Sequence, residues 1–172
     1  MLRRVFLAAV LLASVSACGY HLRGPQTLPF STIYLNMNRY DTFTAALKRQ
    51  IETSGSTRVV DSLKEADVQF FVARNDKEKY ILSLTASGTV REYQLRQRFG
   101  FRVLDKNGRE VTSYSEIYVT RDVSFAEGQE LAKEQEDALL YRDMQNDILQ
   151  QLMRRLARAV PNSEPASDAA KP

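Results

Sequence analysis

Few residues in this chain have the chemistry to act on their own. One cysteine, Cys18, follows Val15-Ser16-Ala17, and one histidine, His21, stands three residues further on. Carboxylates gather at Glu127, Glu130, Glu134, Glu136 and Asp137. Arg91, Arg96, Arg98 and Arg102 share one stretch, with Lys133 after it. Small residues ahead of a cysteine that closes a short apolar run mark where a signal peptidase cuts and a lipid is attached. Cys18 therefore reads as the first residue of a mature, lipid-anchored protein. An exported protein otherwise uses cysteines in pairs, and cleavage elsewhere leaves an odd reactive thiol in an oxidising compartment.

The remaining candidates argue against catalysis. A Ser-His-Asp arrangement built on His21 would have to form against the membrane, three residues from the lipid. A zinc site needs several histidine or cysteine ligands, and the chain has two in all. No glycine loop of the Walker or dinucleotide kind is present, and no cofactor is called for. Paired carboxylates can run acid–base chemistry, but acids crowded at the start of a helix are also what the macrodipole favours. The strand arginines and Lys133 have the charge to hold phosphates. Equally, long basic side chains keep a sheet surface soluble. Nucleic-acid binding would want aromatic rings interleaved on the arginine face, whereas Tyr93, Phe99 and Phe101 alternate to the other one.

The elements that position these residues follow from periodicity. Thr32–Met37 alternates as a first strand. Asp41 or Thr42 can cap a helix whose stripe is Phe43, Leu47 and Ile51, ending at Gly55. Arg58–Val60 reads as a short edge piece and Val68–Ala73 as a strand; the charged run Asn75–Lys79 reads as an interruption before a further strand from Tyr80. In 91–103 the odd positions are mainly apolar, and Arg96, Arg98 and Arg102 fall on the even face. Asn107-Gly108 predicts a hairpin. The returning strand puts Ile117 and Val119 on one face and Tyr114, Glu116 and Tyr118 on the other. A long helix over 129–159 carries Met144, Ile148, Leu152 and Leu156 at intervals of four. The expected fold is an α+β two-layer sandwich: a mostly antiparallel sheet of about four strands with two helices on one face.

Arg3, Arg4 and the apolar run Val5–Ala13 form a signal peptide, residues 1–17, too short to span a bilayer. Residues 18–32 read as a lipidated tether, 33–160 as one domain and 161–172 as a disordered tail. The formal charge of the 172-residue chain is +3. It falls to about +1 once Arg3 and Arg4 leave, so the basic pI is no argument for a nucleic-acid partner.

Three short pieces, in this order behind the cysteine, resemble a known family. They are Cys18-Gly19-Tyr20-His21-Leu22-Arg23-Gly24, Arg91-Glu92-Tyr93-Gln94-Leu95, and Leu131-Ala132-Lys133-Glu134 opening a helix that closes with Leu152-Met153-Arg154-Arg155-Leu156. The chain looks like an LPS-assembly lipoprotein of the LptE (RlpB) family. That resemblance implies a non-enzymatic protein that plugs and helps assemble the LPS-translocating β-barrel LptD, in a 1:1 complex, and binds LPS. It implies that Lys133 stands at a basic position implicated in LPS binding. A second such position falls at about Ala86–Gly88, where this chain has no basic residue and Arg91 is the nearest substitute. Arg91, Arg96 and Arg98 complete the expected LPS contacts. By resemblance to bacterial lipoproteins, Cys18 carries N-palmitoyl and S-diacylglycerol chains. Gly19, in place of Asp, sorts the protein to the periplasmic side of the outer membrane. The competing expectations are a stand-alone envelope lipoprotein binding a small anionic or lipid ligand, and an envelope hydrolase using His21 and the acids of 127–137.

Overall fold

The computed structural model describes residues 26–125, 128 and 130–159, together with Arg3; the side chain of Glu130 is not among them. The expected signal peptide apart from Arg3, Cys18, His21, Glu127, Val160 and the expected tail lie outside the described residues.

The described path of the domain begins ahead of the first strand. Leu28 and Phe30 are buried in the core. Their backbone is fixed by Leu28 N donating to Ser56 Oγ at 2.9 Å and by Thr57 Oγ1 donating to Phe30 O at 2.6 Å. Strand β1 (Thr32–Asn36) leads to helix α1 (Thr42–Thr53) and then to β2 (Arg58–Val60). Phe43, Leu47 and Ile51 form the buried stripe of α1, as their four-residue spacing requires. Asp41 occupies the N-cap position without a side-chain cap bond. Gly55 lies at φ 73°, the left-handed conformation in which glycine ends a helix at no steric cost.

After a 3₁₀ turn (Leu63–Glu65) come three long strands, β3 (Val68–Leu84), β4 (Val90–Asp105) and β5 (Glu110–Ser124), and then α2 (Glu130–Leu156). The sheet has five strands in the order β2-β1-β3-β4-β5. β1 runs parallel to both neighbours, while β3, β4 and β5 form the antiparallel meander. The connection through α1 is the crossover that two parallel neighbours require.

The charged run at 75–79 does not interrupt β3. It continues in the strand, backbone-paired to β4, with Asp76 across from Arg98 and Glu78 across from Arg96. A bulge between Val72 and Arg74 exchanges the faces. Val68, Phe70 and Val72 face the helices, and beyond the bulge so do Asn75, Lys77, Lys79 and Ile81, which lie opposite odd-numbered residues of β4. Tyr80 consequently joins the outer face.

The odd positions of β4 carry the core. Tyr93, Leu95, Phe99, Phe101 and Val103 are all almost fully buried. Phe99 is the hub: its ring centroid lies 5.1 Å from that of Phe43 and 6.4–6.5 Å from those of Phe101 and Phe70. Both helices cover this face. Met144, Ile148, Leu152 and Leu156 of α2 are fully buried, so the predicted stripe is the one used. At 27 residues α2 is about 40 Å long, slightly shorter than the expected 129–159. It runs antiparallel to β5: Arg155 Nη1 donates to Glu116 O at 2.8 Å, and one turn after another Arg121 reaches Asp147 and Asp143.

Candidate functional site

Opposite the helices, the sheet's outer face has no second layer among the described residues. Arginine and tyrosine dominate it, and the side chains come from three strands. The Arg96 guanidinium sits 4.0 Å from the ring centroid of Tyr80 on β3, and its Nε donates to Gln94 Oε1 at 2.7 Å. Arg98 sits 5.3 Å from the ring of Tyr118 on β5. Arg74 pairs with Asp76 and, at 3.7 Å, with Glu116, which also accepts from Tyr114 Oη at 2.7 Å. Arg102 lies 3.7 Å from Glu110. The aromatic interleaving that β4 lacks along its own length is thus supplied from either side. Tyr80, Tyr114 and Tyr118 each remain about half exposed.

Gly100 belongs to this face because Tyr114 lies across it. A Cβ added at Gly100 would come within 2.5 Å of the Tyr114 hydroxyl. Without that Cβ the ring lies flat against the sheet, covering backbone that a glycine leaves bare.

Hydrogen bonding sets the ionisation of this network. The Arg74 guanidinium beside Asp76 is held more firmly charged than usual, and the Tyr114 hydroxyl bonded to Glu116 is harder to ionise than an ordinary phenol. The face therefore sets guanidinium groups beside phenol hydroxyls and the carboxylates of Asp76, Glu110 and Glu116.

The sequence-predicted basic residues do not form one cluster. Arg96 and Arg98 lie on the outer face. Lys133 lies on α2, across the sheet from them, where its Nζ donates to Glu136 Oε2 at 2.6 Å and only 16% of its side chain is exposed. Arg91 is at the hairpin end of β4, with Nε 3.3 Å from Ser83 Oγ and a guanidinium nitrogen 3.6 Å from Glu92. A phosphate held by Lys133 therefore cannot at the same time be held by Arg96 or Arg98.

Near the N-terminal end of α2, sequence reasoning missed a structural device. Asp137 is buried. Its two oxygens accept from Tyr93 Oη and Lys79 Nζ, each at 2.6 Å, and the lysine ammonium also sits 4.2 Å from the Tyr93 ring centroid. Burial first, and then the bond to Asp137, push the Tyr93 phenol well above its ordinary range, so it stays a donor. The signal was present: Asp137 stands seven residues before Met144, on the core stripe of the helix. It is a clamp between α2 and the ends of β3 and β4, not merely part of an acidic helix start. Removing it leaves the buried Tyr93 hydroxyl unpaired. Asp137→Ala is expected to cost about 1–3 kcal/mol and to raise amide exchange in residues 130–140, read by hydrogen–deuterium exchange. Unchanged exchange there would mean that the clamp holds nothing.

No helix among the described residues is long and apolar enough to cross a membrane. The architecture defines a class: a two-layer α+β domain with one sheet face sealed by helices and the other left as an open, polar, tyrosine- and arginine-rich surface. A family model described as LptE, lipopolysaccharide-assembly, matches residues 30–156, and the chain belongs to that family. No curated protein matches it in sequence. Among solved structures, it is similar to the solution structure of uncharacterized lipoprotein B from Nitrosomonas europaea. That match has 37% identity and a TM-score of 0.68, and covers 81% of this chain and 90% of that one. The fold also matches rare lipoprotein B from Shewanella oneidensis at 21% identity and a TM-score of 0.64, covering 74% of this chain and 95% of that one. A minor lipoprotein from Acinetobacter baumannii matches at 18% identity and a TM-score of 0.63, with 80% and 99% covered.

Proposed function

We propose that this LPS-assembly lipoprotein is anchored to the periplasmic side of the outer membrane through acylated Cys18. Its domain would associate with the LPS-translocating β-barrel LptD as a plug, and it would contact LPS directly, with no enzymatic step. The observation that carries this reading is the open outer face. A barrel lumen is lined by polar side chains, and a domain seated in one needs a polar surface with rigid contact residues. Tyrosine and arginine are the types that concentrate binding energy at interfaces. Stacking Arg96 on Tyr80 and Arg98 on Tyr118 holds both pairs in place before any partner arrives. Cleavage before Cys18, the palmitate and diacylglycerol chains, and outer-membrane sorting through Gly19 belong to this proposal.

The proposed LPS contacts do not lie in one place. Arg96 and Arg98 share the outer face, whereas Lys133 on α2 and Arg91 at the hairpin end of β4 are separate from them. Lys133 must give up Glu136 to take a phosphate, whereas Arg98 has a ring beneath it and no ion pair within 4 Å among the described residues. Charge reversal at Lys133, Arg91 and Arg96 together is expected to weaken LPS binding about tenfold or more while leaving the thermal transition within a few degrees, because none of these residues is in the core. Arg96→Glu/Arg98→Glu is expected to reduce co-purification with LptD. If the double variant captures the barrel as well as the unaltered protein does, the outer face is not the docking surface. If the unaltered protein captures no barrel, the plug reading falls.

A further inference from the structure

β1 pairs with β3 only over residues 68–71 of β3. The chain then leaves the sheet for α1. From 72 to 84, β3 is bonded to β4 on one side and has no strand on the other among the described residues. Tyr141 Oη of α2 donates to Glu78 O at 3.2 Å; otherwise an edge of this length is a template for another strand. Just where β1 stops, a groove of about 500 Å³ opens between the two helices. Its apolar wall includes Phe43, Ala46 and Leu149, and Lys77 of this edge stands in it beside Arg142 of α2. No acidic residue lines the groove, and neither cation makes an ion pair within 4 Å among the described residues. The Lys77 ammonium has the ring of Tyr141, 5.2 Å from the centroid, as its support.

We propose that this edge and groove together form a docking channel for an extended acidic segment of a partner protein, which joins the sheet alongside β3 as a sixth strand. In strand addition, main-chain hydrogen bonds supply affinity, and pockets that receive alternate side chains supply selectivity. Here the side chains directed to the helix side meet Lys77 and Arg142, so they are acidic. Those directed to the outer side meet Asp76 and Glu78, so they are neutral. An inward lysine on an edge strand also disfavours pairing of two copies of the chain through that edge. It therefore selects among partners as well as attracting one. The proposal is independent of the barrel reading, which concerns the outer face.

The test uses the whole mature chain and a fluorescein-labelled peptide of about ten residues alternating threonine and glutamate, a period-two probe matched to a strand, followed by fluorescence anisotropy. Saturable binding is expected, weakened at least tenfold in Lys77→Glu/Arg142→Glu, with folding confirmed by circular dichroism. Methylating the backbone nitrogens of one alternate set of peptide residues is expected to abolish binding, and methylating the other set to leave it intact, because only one set faces β3. No binding by the unaltered chain overturns the proposal. So does equal sensitivity to both methylated sets, which would reduce the contact to charge alone. Binding that appears only when the chain is cut after Ala159 also overturns it, because the protein's own C-terminal residues would then be the occupant.

Discussion

Leu152→Asp is expected to leave the domain unfolded at room temperature. Leu152 is fully buried on the stripe of α2 that also carries Met144, Ile148 and Leu156. Loss of the leucine side chain alone costs about 2–5 kcal/mol when the site cannot collapse around the gap. The surrounding core is rings and branched aliphatics, so the introduced carboxylate finds no partner and adds the cost of a buried, unpaired polar group, several kcal/mol more. Together these approach the whole stability of an ordinary domain, about 5–15 kcal/mol. The same substitution at Leu139, on the same helix but 56% exposed, is expected to change stability by only about 0.5 kcal/mol. Thermal denaturation followed by circular dichroism separates the two. A cooperative transition for Leu152→Asp within a few degrees of the unaltered protein would mean that α2 does not seal the sheet in the way described.

The contrast between Leu152 and Leu139 also shows which parts of the fold were legible. Four-residue spacing of large apolar side chains located both helices, and the odd–even alternation of 91–103 located the core strand, because burial repeats along each element and leaves a period. What the sequence concealed were the features set by pairing between elements. Asn75–Lys79 looked like a break since no local rule makes five polar residues a strand; the reason they are one lies in pairing with residues 95–99 of β4, some twenty positions away. The bulge after Val72 inverted the faces beyond it, which set Tyr80 beside Arg96 on the outer face. β1, five residues long, carried no mark of being parallel to its neighbours. The candidate site fared likewise. The arginine face was visible as an alternation, but its tyrosines come from other strands, and the separation of Lys133 from Arg96 and Arg98 required knowing which face the helices cover. Asp137, grouped with the acids of the helix start, carried a usable signal of its structural role, a carboxylate standing on an apolar stripe.

Cys18 is where the other large effect is expected, and it concerns location, not folding. Cys18→Ala should release the protein from the membrane fraction entirely. A single acyl chain holds a protein only marginally, while two or more give stable anchoring, because each buried methylene contributes about 0.8 kcal/mol. In the proposed anchor all of that hydrocarbon is attached through one residue, and no helix among the described residues is long and apolar enough to replace it by crossing the membrane. Between Cys18 and the first buried side chain, Leu28, the chain has ten steps. At about 3.3–3.6 Å for each extended residue, the core can stand roughly 35 Å at most from the lipidated position, far enough to meet a barrel beside the anchor and too short to reach across the periplasm. The variant should therefore fold with an unchanged thermal transition and lose LptD in co-purification from membranes, since release dilutes it from a surface into a volume. Fractionation, mass measurement of the N-terminus and a melting curve are enough to decide. If Cys18→Ala remains in the membrane fraction without LptD present, the anchor lies elsewhere in the chain. If it is released but still captures LptD in full, the lipid serves delivery alone and the domain's own surface supplies the affinity.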